Sequence, residues 1–385
     1  MKRPYRSFVL LFLFFFLTLH PMEEIHAAPP DYLKSVTYFS DAWPINFWST
    51  ESPNLDAELQ QIVDDGFNSI ILVIPWREFQ PSLDAYTTYN PYAMAKLNRM
   101  MQAADAHNLW VTARIGYTWD YYDVNADVLK RYEAVLSDKN VQIAWRHYAE
   151  TMYHTLSAYP NFYGGFLTWE DFWNFTENLS GLSGRSARQK KAQSCGYTEY
   201  LQKHYQLDEL SCLYGETIRE YRNIYLPSPD QAAAKLFYEF YDDFLNTFLS
   251  DTQEVFPGLS MEARLDQEPL CDENGEQYYY NHSKTYSCGE AAYTGAMISV
   301  AMGQQNKGEL VSAESAVSAI NGYLSHVRGL NEGKKLYIEQ FLYMDNTVGF
   351  SHNAQILPEQ VPAYILGMKP VLAAHSMGYG LWLYR

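Results

Sequence analysis

The sequence is poor in positive charge, in cysteine and in long apolar runs, and each shortage removes a class of protein. Lys and Arg number 28 against 45 Asp and Glu, a net charge of −17. A duplex-DNA binder needs a basic stripe, and none is visible. The single basic cluster, RSARQKK at 185–191, is short and reads as a solvated loop, so nucleic acid is excluded as a partner and a strongly anionic polymer would be repelled. The four cysteines, Cys195, Cys212, Cys271 and Cys288, have no spacing that resembles a zinc site. The ten histidines show no HxxxH-type pairing, which argues against a metal-dependent deacetylase and predicts neither metal nor cofactor. No glycine-rich phosphate turn follows the first strand-like run, as a doubly wound nucleotide-binding sheet would require. No internal repeat or low-complexity linker divides the chain.

What is present begins with an export signature. Lys2, Arg3 and Arg6 precede the apolar run FVLLFLFFFLTL at 8–19, and Ile25-His26-Ala27 offers small residues near a cleavage point. The run is shorter than the roughly 20 residues of a membrane span. Residues 1–27 therefore read as a signal peptide, with an uncleaved anchor as the alternative. Residues 28–385 read as one mature domain, secreted or periplasmic, with no stable membrane insertion after cleavage. An oxidising compartment makes disulfides the default. Of the three possible pairings, Cys195–Cys212 and Cys271–Cys288 each close a short loop and are favoured. Asn174, Asn178 and Asn281 lie in N-x-[ST] sequons.

Strand-like runs alternate with helical ones: SVTYFSDAW (35–43), SIILVIPW (69–76), LWVTARIGYTWD (109–120), GGFLTWED (164–171), LSMEARLD (259–266), YTGAMISVAMG (293–303), KLYIEQFLY (335–343) and GYGLWLYR (378–385). Helical spacing of apolar residues fills most of the intervals. Alternation of this kind implies parallel strands, and eight such units imply an α/β fold, a single-domain (β/α)8 TIM barrel. Residues 171–230 and 267–292 exceed ordinary connections. Both would rise from the C-terminal face of the barrel, where long loops shape a cleft.

Strand alternation sends Glu262, Arg264 and Asp266 into the barrel mouth, opposite Met261, Ala263 and Leu265. Arg114 points inward opposite Ala113 and Ile115. Glu170 shares a face with Thr168 and Phe166, and Glu339 shares one with Tyr337 and Phe341. Parity turns Trp382 inward. Arg114 and Arg264 would pair with Glu262 and Asp266, since buried charge needs partners. That leaves Glu170 and Glu339 as two spare carboxylates on strands four and seven. Aromatics are 16% of the chain, with 33 Tyr and 9 Trp, and aromatic faces suit the apolar C–H faces of sugar rings. Trp43, Trp48, Trp76, Trp119, Tyr121, Tyr122 and Trp173 fall at or after strand ends, and a row of them favours an oligosaccharide or polysaccharide partner. Tyr343, His352 and Asn353 lie at or beyond the end of strand seven.

On these residues the sequence resembles clan A of the glycoside hydrolases, the retaining (β/α)8 enzymes. The resemblance implies an acid/base Glu at the end of strand four, here Glu170 in TWED. It implies a nucleophile at the end of strand seven, here Glu339 in YIEQF, and a sugar-flooring Trp on strand eight, here Trp382. The stretch 197–230 looks like the segment after the acid/base in family 42 β-galactosidases. One position departs: the clan's Asn before the acid/base, which binds the sugar 2-hydroxyl, is Trp169 here. Either another residue makes that contact, or the substrate lacks an ordinary 2-hydroxyl, or the acid/base lies elsewhere, with Asp171 the nearest substitute. The aromatics around Glu170 should raise its pKa, and Glu339 should stay ionised if Arg114 or Arg264 is near. The resulting expectation is an exported, retaining, endo-acting glycosidase. Its sites are Glu170 and Glu339, with Trp43, Trp76, Arg114, Trp119, Trp169, Trp173, Glu262, Arg264, Tyr343 and Trp382 around the sugar. A non-catalytic carbohydrate-binding barrel serving exopolysaccharide assembly or export is the rival.

Overall fold

The computed structural model describes residues 28–118, 126–172, 182–228, 230–263, 269–272, 274–280, 291, 293–298, 310–331, 334, 336–342 and 355–384. For 126–130, 170, 263, 269–271, 277–279 and 296–298 it describes the backbone alone. Eight parallel strands close into a barrel. They are β1 (Leu33–Tyr38), β2 (Ser69–Pro75), β3 (Trp110–Tyr117), β4 (Phe162–Leu167), β5 (Ser260–Ala263), β6 (Thr294–Ile298), β7 (Leu336–Phe341) and β8 (Ser376–Leu381). Each pairs with its neighbour in sequence, and β8 returns to β1 through Leu33↔Gly378 and Val36↔Leu381. The fold is the (β/α)8 barrel read from the alternation.

The helices form where the apolar spacing put them. In α1 (Pro91–Ala106) Asn90 caps the N-terminus by accepting from the amides of Tyr92 and Ala93, and Pro91 pre-sets the first turn. Leu97, Met100, Met101 and Ala104 then bury one stripe against the sheet. In α2 (Lys139–Leu156) the cap is Asp138, and Trp145, Tyr148 and Met152 face inward. The helices α3 (Ala234–Gln253), α4 (Ala313–Leu330) and α5 (Val361–His375) cover further strands. Strand β2, SIILVIP, is buried along its whole length, as a strand covered on both faces must be.

Inside the barrel, the floor is apolar: Leu33, Ile71, Phe166, Tyr293 and Tyr337 form one cluster. Tyr337 donates its hydroxyl to Ser35 Oγ on β1 at 2.8 Å. Above that layer the interior turns polar, with Thr112, Arg114, Glu262 and Glu339 all buried. The floor closes the barrel from below, so the polar layer opens toward the C-terminal ends of the strands.

The connection after β4 departs from expectation. The basic run at 185–191 lies in a helix, Arg185–Ser194, followed by short helices Tyr197–His204 and Leu207–Tyr214. The expected Cys195–Cys212 disulfide is not formed: Cys195 is a buried free thiol and Cys212 an exposed one. The segment is held by packing and hydrogen bonds instead. Leu201 and Leu210 are buried, the Tyr197 and Tyr214 hydroxyls lie 3.2 Å apart, and Tyr214 donates to the Tyr225 carbonyl at 2.7 Å. Burial pushes the Cys195 thiol up to about 11, which suppresses the thiolate that disulfide exchange needs. Cys271 lies in a short antiparallel ribbon, Pro269–Cys271 with Gln277–Tyr279. Cys288 lies outside the described residues, and with it the second expected pairing.

Candidate active site

Strand β7 brings the first carboxylate. Its pairing shifts register against β6 between Ile338 and Gln340, and against β8 between Ile338 and Phe341. One extra residue in a strand bends it and re-aims its side chains. Tyr337 and Glu339 face the barrel interior as alternation requires. Gln340 also faces inward, because its Oε1 accepts from Arg114 Nη1 at 3.0 Å. Phe341 is therefore turned outward and packs with Leu336, Ile338, Leu324 and Tyr364. The expectation that Phe341 shares the Glu339 face is corrected by this irregularity.

Glu339 lies over Gly295 of β6. A Cβ built on Gly295 would fall 1.9 Å from Glu339 Oε2 and 2.6 Å from its Cδ, so only glycine leaves room for the carboxyl. Gly295 pairs with Glu262 on β5 on one side and with Tyr337 on β7 on the other. Glu262 is fully buried and Glu339 is 2% exposed. Burial, and then the charge of Glu262, push the Glu339 carboxyl well above the usual carboxylate range, and Arg114 only partly opposes this. The sequence predicts an ionised Glu339 if Arg114 or Arg264 is near; Arg114 alone does not hold the carboxyl down in the usual range, and Arg264 lies outside the described residues. Among the described residues, desolvation and a like charge outweigh the cation Arg114.

Arg114 also binds the segment after β4. Arg114 on β3 donates from Nε to Asp171 Oδ2 at 3.0 Å and from Nη2 to Asp171 Oδ1 at 3.2 Å. Nη2 also reaches Thr168 Oγ1 at 3.0 Å. Asp171 further accepts from the Thr168 hydroxyl at 2.6 Å and the Thr118 amide at 3.2 Å. The sequence pairs Arg114 and Arg264 with Glu262 and Asp266; Arg264 and Asp266 lie outside the described residues, and Arg114 is forked onto Asp171. The reason is local geometry: β4 ends at Leu167, and a helical turn, Trp169–Phe172, follows. Strand parity stops there, and the turn delivers Asp171 to the arginine. Asp171, the alternative acid/base of the sequence reading, is fully buried among these donors. Glu170 sits in the same turn, with its side chain outside the described set.

Aromatic residues rim this layer. Trp382, just past β8, turns inward as parity required. It packs near Ile45, Val73 and Tyr117, with the Arg114 guanidinium 5.7 Å from its ring centroid. Trp43 meets Trp382 edge-on at 6.2 Å, and Phe39 lies 5.8 Å from Trp382. Trp43 and Trp382 are only partly buried, so they form the accessible part of the cluster. Two other expected sugar contacts are corrected. Trp76 is buried on the helix side of the sheet, 5.1 Å from Trp145 and 5.5 Å from Tyr132. Trp169 is likewise buried, stacked at 6.4 Å on Tyr238 and edge-on to Tyr241 at 5.7 Å. Both fill the apolar layer between strands and helices, which an indole does better than any smaller residue. Trp48 is also packed away, donating to the Val73 carbonyl at 2.8 Å. Trp119, Trp173, Arg264 and Tyr343 lie outside the described residues.

Sequence reasoning missed Gln340, Thr118 and Gly295. Gln340 is the neighbour of a singled-out carboxylate, but only the irregular pairing turns it inward. The glycine in YTG carries no sign that a carboxylate lies over it. Among the described residues no His, Cys, Asp and Glu cluster could hold a metal ion, and no helix is long and apolar enough to cross a membrane.

Neither a protein-family model nor a curated protein sequence matches the chain. Solved structures share its fold. An exo-β-1,4-mannosidase from Opitutaceae bacterium strain TAV5 is 13% identical with a TM-score of 0.55, over 92% of this chain and 52% of that one. A GH5_18 structure from Bifidobacterium longum subsp. longum, in complex with Manb1-4GlcNAc, is 14% identical with a TM-score of 0.56, over 91% and 69%. A β-galactosidase from the psychrophilic Marinomonas ef1 is 12% identical with a TM-score of 0.60, over 92% and 54%. The chain thus spans about half the length of the mannosidase and of the galactosidase. At such identities the likeness is one of fold.

Proposed function

We propose that this chain is a retaining glycoside hydrolase, with Glu339 as nucleophile and Glu170 as acid/base. The observation that carries the reading is Glu339 on β7, which alternation turns into the barrel interior over Gly295, whose missing Cβ leaves room for the carboxyl. Glycosidases among the structural neighbours support it, and β-linked mannosides are the first substrates to test, given what two of those neighbours are named for. The partly buried Trp43–Trp382 corner offers a sugar platform beside the buried charges. An endo mode on an oligosaccharide or polysaccharide, and export directed by residues 1–27 to the periplasm or medium, complete the reading.

The chemistry follows from the roles. Glu170, protonated, donates to the glycosidic oxygen while Glu339 attacks the anomeric carbon. The leaving sugar departs with the proton, and a glycosyl ester remains on Glu339. Glu170, now ionised, takes a proton from water, and that water cleaves the ester with net retention. The two carboxyls would stand roughly 5 to 5.5 Å apart. Arg114 holds the β4 turn through Asp171 and the β7 irregularity through Gln340. It therefore ties together the two segments that carry the proposed pair.

The test is release of reducing ends from a panel of β-linked glycans by residues 28–385. Glu339→Gln and Glu170→Gln should each lower turnover by three or more orders of magnitude while leaving glycan binding near wild type. The non-catalytic carbohydrate-binding barrel is favoured by one observation: burial and Glu262 keep Glu339 from ionising readily. Binding of a glycan with no hydrolysis of it by the wild type would establish that second reading and end the first.

A further inference from the structure

The β7 irregularity turns a second polar side chain, Gln340, into the interior beside Glu339, and the mechanism above gives it no contact with the sugar. We propose that Gln340 is a substrate-binding residue: its Nε2 donates to the 2-hydroxyl of the sugar whose anomeric carbon Glu339 attacks, so that it selects sugars carrying that hydroxyl. This deepens the glycosidase reading and rests on it.

The orientation of the amide is fixed by its partner. A guanidinium only donates, and Arg114 Nη1 lies 3.0 Å from Gln340 Oε1. The oxygen must therefore face Arg114, and Nε2, on the other arm of the same planar amide, must face away from it. Strands β3 and β7 stand on opposite sides of the ring, so this bond crosses the barrel interior. Arg114 is itself held by the fork to Asp171, at 3.0 and 3.2 Å, which anchors the far end. Nε2 carries two protons, and no acceptor among the described residues takes either. It is not one of the sealed, unpartnered polar atoms of the interior, and Gln340 keeps 7% of its surface exposed. The two N–H groups therefore meet the mouth of the barrel.

Chemistry selects the sugar oxygen that such a donor meets. Glu339 and Gln340 are consecutive, and both enter the interior, so a group on Gln340 has within reach the atoms next to the anomeric carbon. Those are the ring oxygen and the 2-hydroxyl. Donation to the ring oxygen would withdraw the lone pair that stabilises an oxocarbenium-like transition state. Donation to the 2-hydroxyl carries no such penalty, and hydrogen bonds there strengthen in the transition state. Arg114 adds to the effect, because a charge-assisted bond to the amide oxygen polarises the amide and makes its N–H a better donor. Trp382 supplies the matching surface. Its backbone amide donates to the Phe341 carbonyl at 3.1 Å, and its ring centroid lies 5.7 Å from the Arg114 guanidinium. A sugar stacked on that indole would carry its edge toward the amide that Arg114 holds. Trp169, at the position that the resemblance assigns to the 2-hydroxyl, is buried against Tyr238 and Tyr241, so the contact falls to another residue.

Two variants and paired substrates test this. Gln340→Met keeps the bulk and removes both polar atoms; Gln340→Glu keeps an acceptor for Arg114 and removes the donor. The probes are the nitrophenyl β-glycosides of mannose, glucose and galactose, each beside its 2-deoxy counterpart. Each variant should lose about tenfold to a hundredfold more kcat/KM on the full sugar than on the 2-deoxy sugar, the range of coupling between groups in contact. A merely structural role for Gln340 would lower both equally, and equal losses overturn the proposal. A second reading comes from the amide itself. In nitrogen-resolved NMR spectra the Gln340 side-chain signal, identified by its loss in either variant, should shift with the full glycoside and not with the 2-deoxy one. Either variant serves for both measurements, so failure of one to fold leaves the other decisive. A shift without hydrolysis refutes the glycosidase reading and leaves Gln340 a sugar ligand. Hydrolysis with equal losses and no shift refutes this proposal alone, and neither shift nor hydrolysis with any of the three sugars overturns both.

Discussion

At the scale of single residues, the active-site layer is decided by what is small as much as by what is charged. Gly295 contributes no side chain, and that is its function: its Cα is the wall against which the Glu339 carboxyl rests. Gly295→Ala would place a methyl 1.9 Å from Glu339 Oε2. The carboxyl would have to leave its place or the strand would have to shift, at about 1–3 kcal/mol of overpacking. We expect a lower melting temperature together with a loss of at least tenfold in kcat and little change in KM, measured by thermal unfolding and steady-state kinetics. An alanine variant with wild-type stability and turnover would show that the carboxyl does not sit there. Strand parity alone placed Glu262 and Arg114 inward, because each lies within a strand where it alternates with apolar neighbours, and parity carried one residue past β8 turned Trp382 inward too. Parity did not reveal that Asp171 would take Arg114. That contact depends on a helical turn starting within two residues of the end of β4, and TWED carries no breaker that announces it.

At the scale of elements, the aromatic residues divide between two layers that look identical in sequence. Trp76 and Trp382 both follow a strand by one residue, at the C-terminal end of the barrel. Trp76 opens a helical turn, Trp76–Phe79, and its indole falls back against α2. Trp382 follows extended backbone and stays over the barrel axis beside Arg114. The sequence marks both as strand-end tryptophans, and only the next turn of chain separates them. The separation is measurable. Trp76→Ala should cost about 3–5 kcal/mol of stability, as large aromatic truncations in a core do, with KM unchanged in the folded fraction. Trp382→Ala should cost less stability and raise KM for the preferred glycan several-fold. Urea titrations and kinetics on the two variants check this, and a reversed pattern would exchange the roles assigned here. The β7 irregularity belongs to this scale too. KLYIEQFLY alternates well enough to predict a regular strand, and what bends it is pairing with β6 and β8, which no single strand contains.

At the scale of the whole molecule, closure is the property everything else needs. The chain reaches a barrel only when β8 pairs with both β1 and β7, joining Leu33 to Gly378 and Leu336 to Ser376. Closure is tight at that seam: a Cβ on Gly378 would meet Leu33 Cβ at 2.6 Å, and Tyr32 bonds Ser376 across it at 3.0 Å. The eightfold alternation made this architecture legible from sequence, since eight parallel units have one common closed solution, whereas the long connections after β4 and β5 follow no period and were legible only as insertions. Deleting residues 376–385 removes one strand in eight yet leaves two unpaired parallel edges and an apolar floor open to water. Unpaired edges recruit other chains, so that variant should lose its cooperative unfolding transition and aggregate. Deleting residues 1–27, which lie before the first strand, should leave the melting temperature within a few degrees of the full chain. Calorimetry and light scattering on the two truncations separate these outcomes. A cooperative, monomeric 28–375 fragment would mean that the barrel is held by its separate strand–helix units and not by the ring they close.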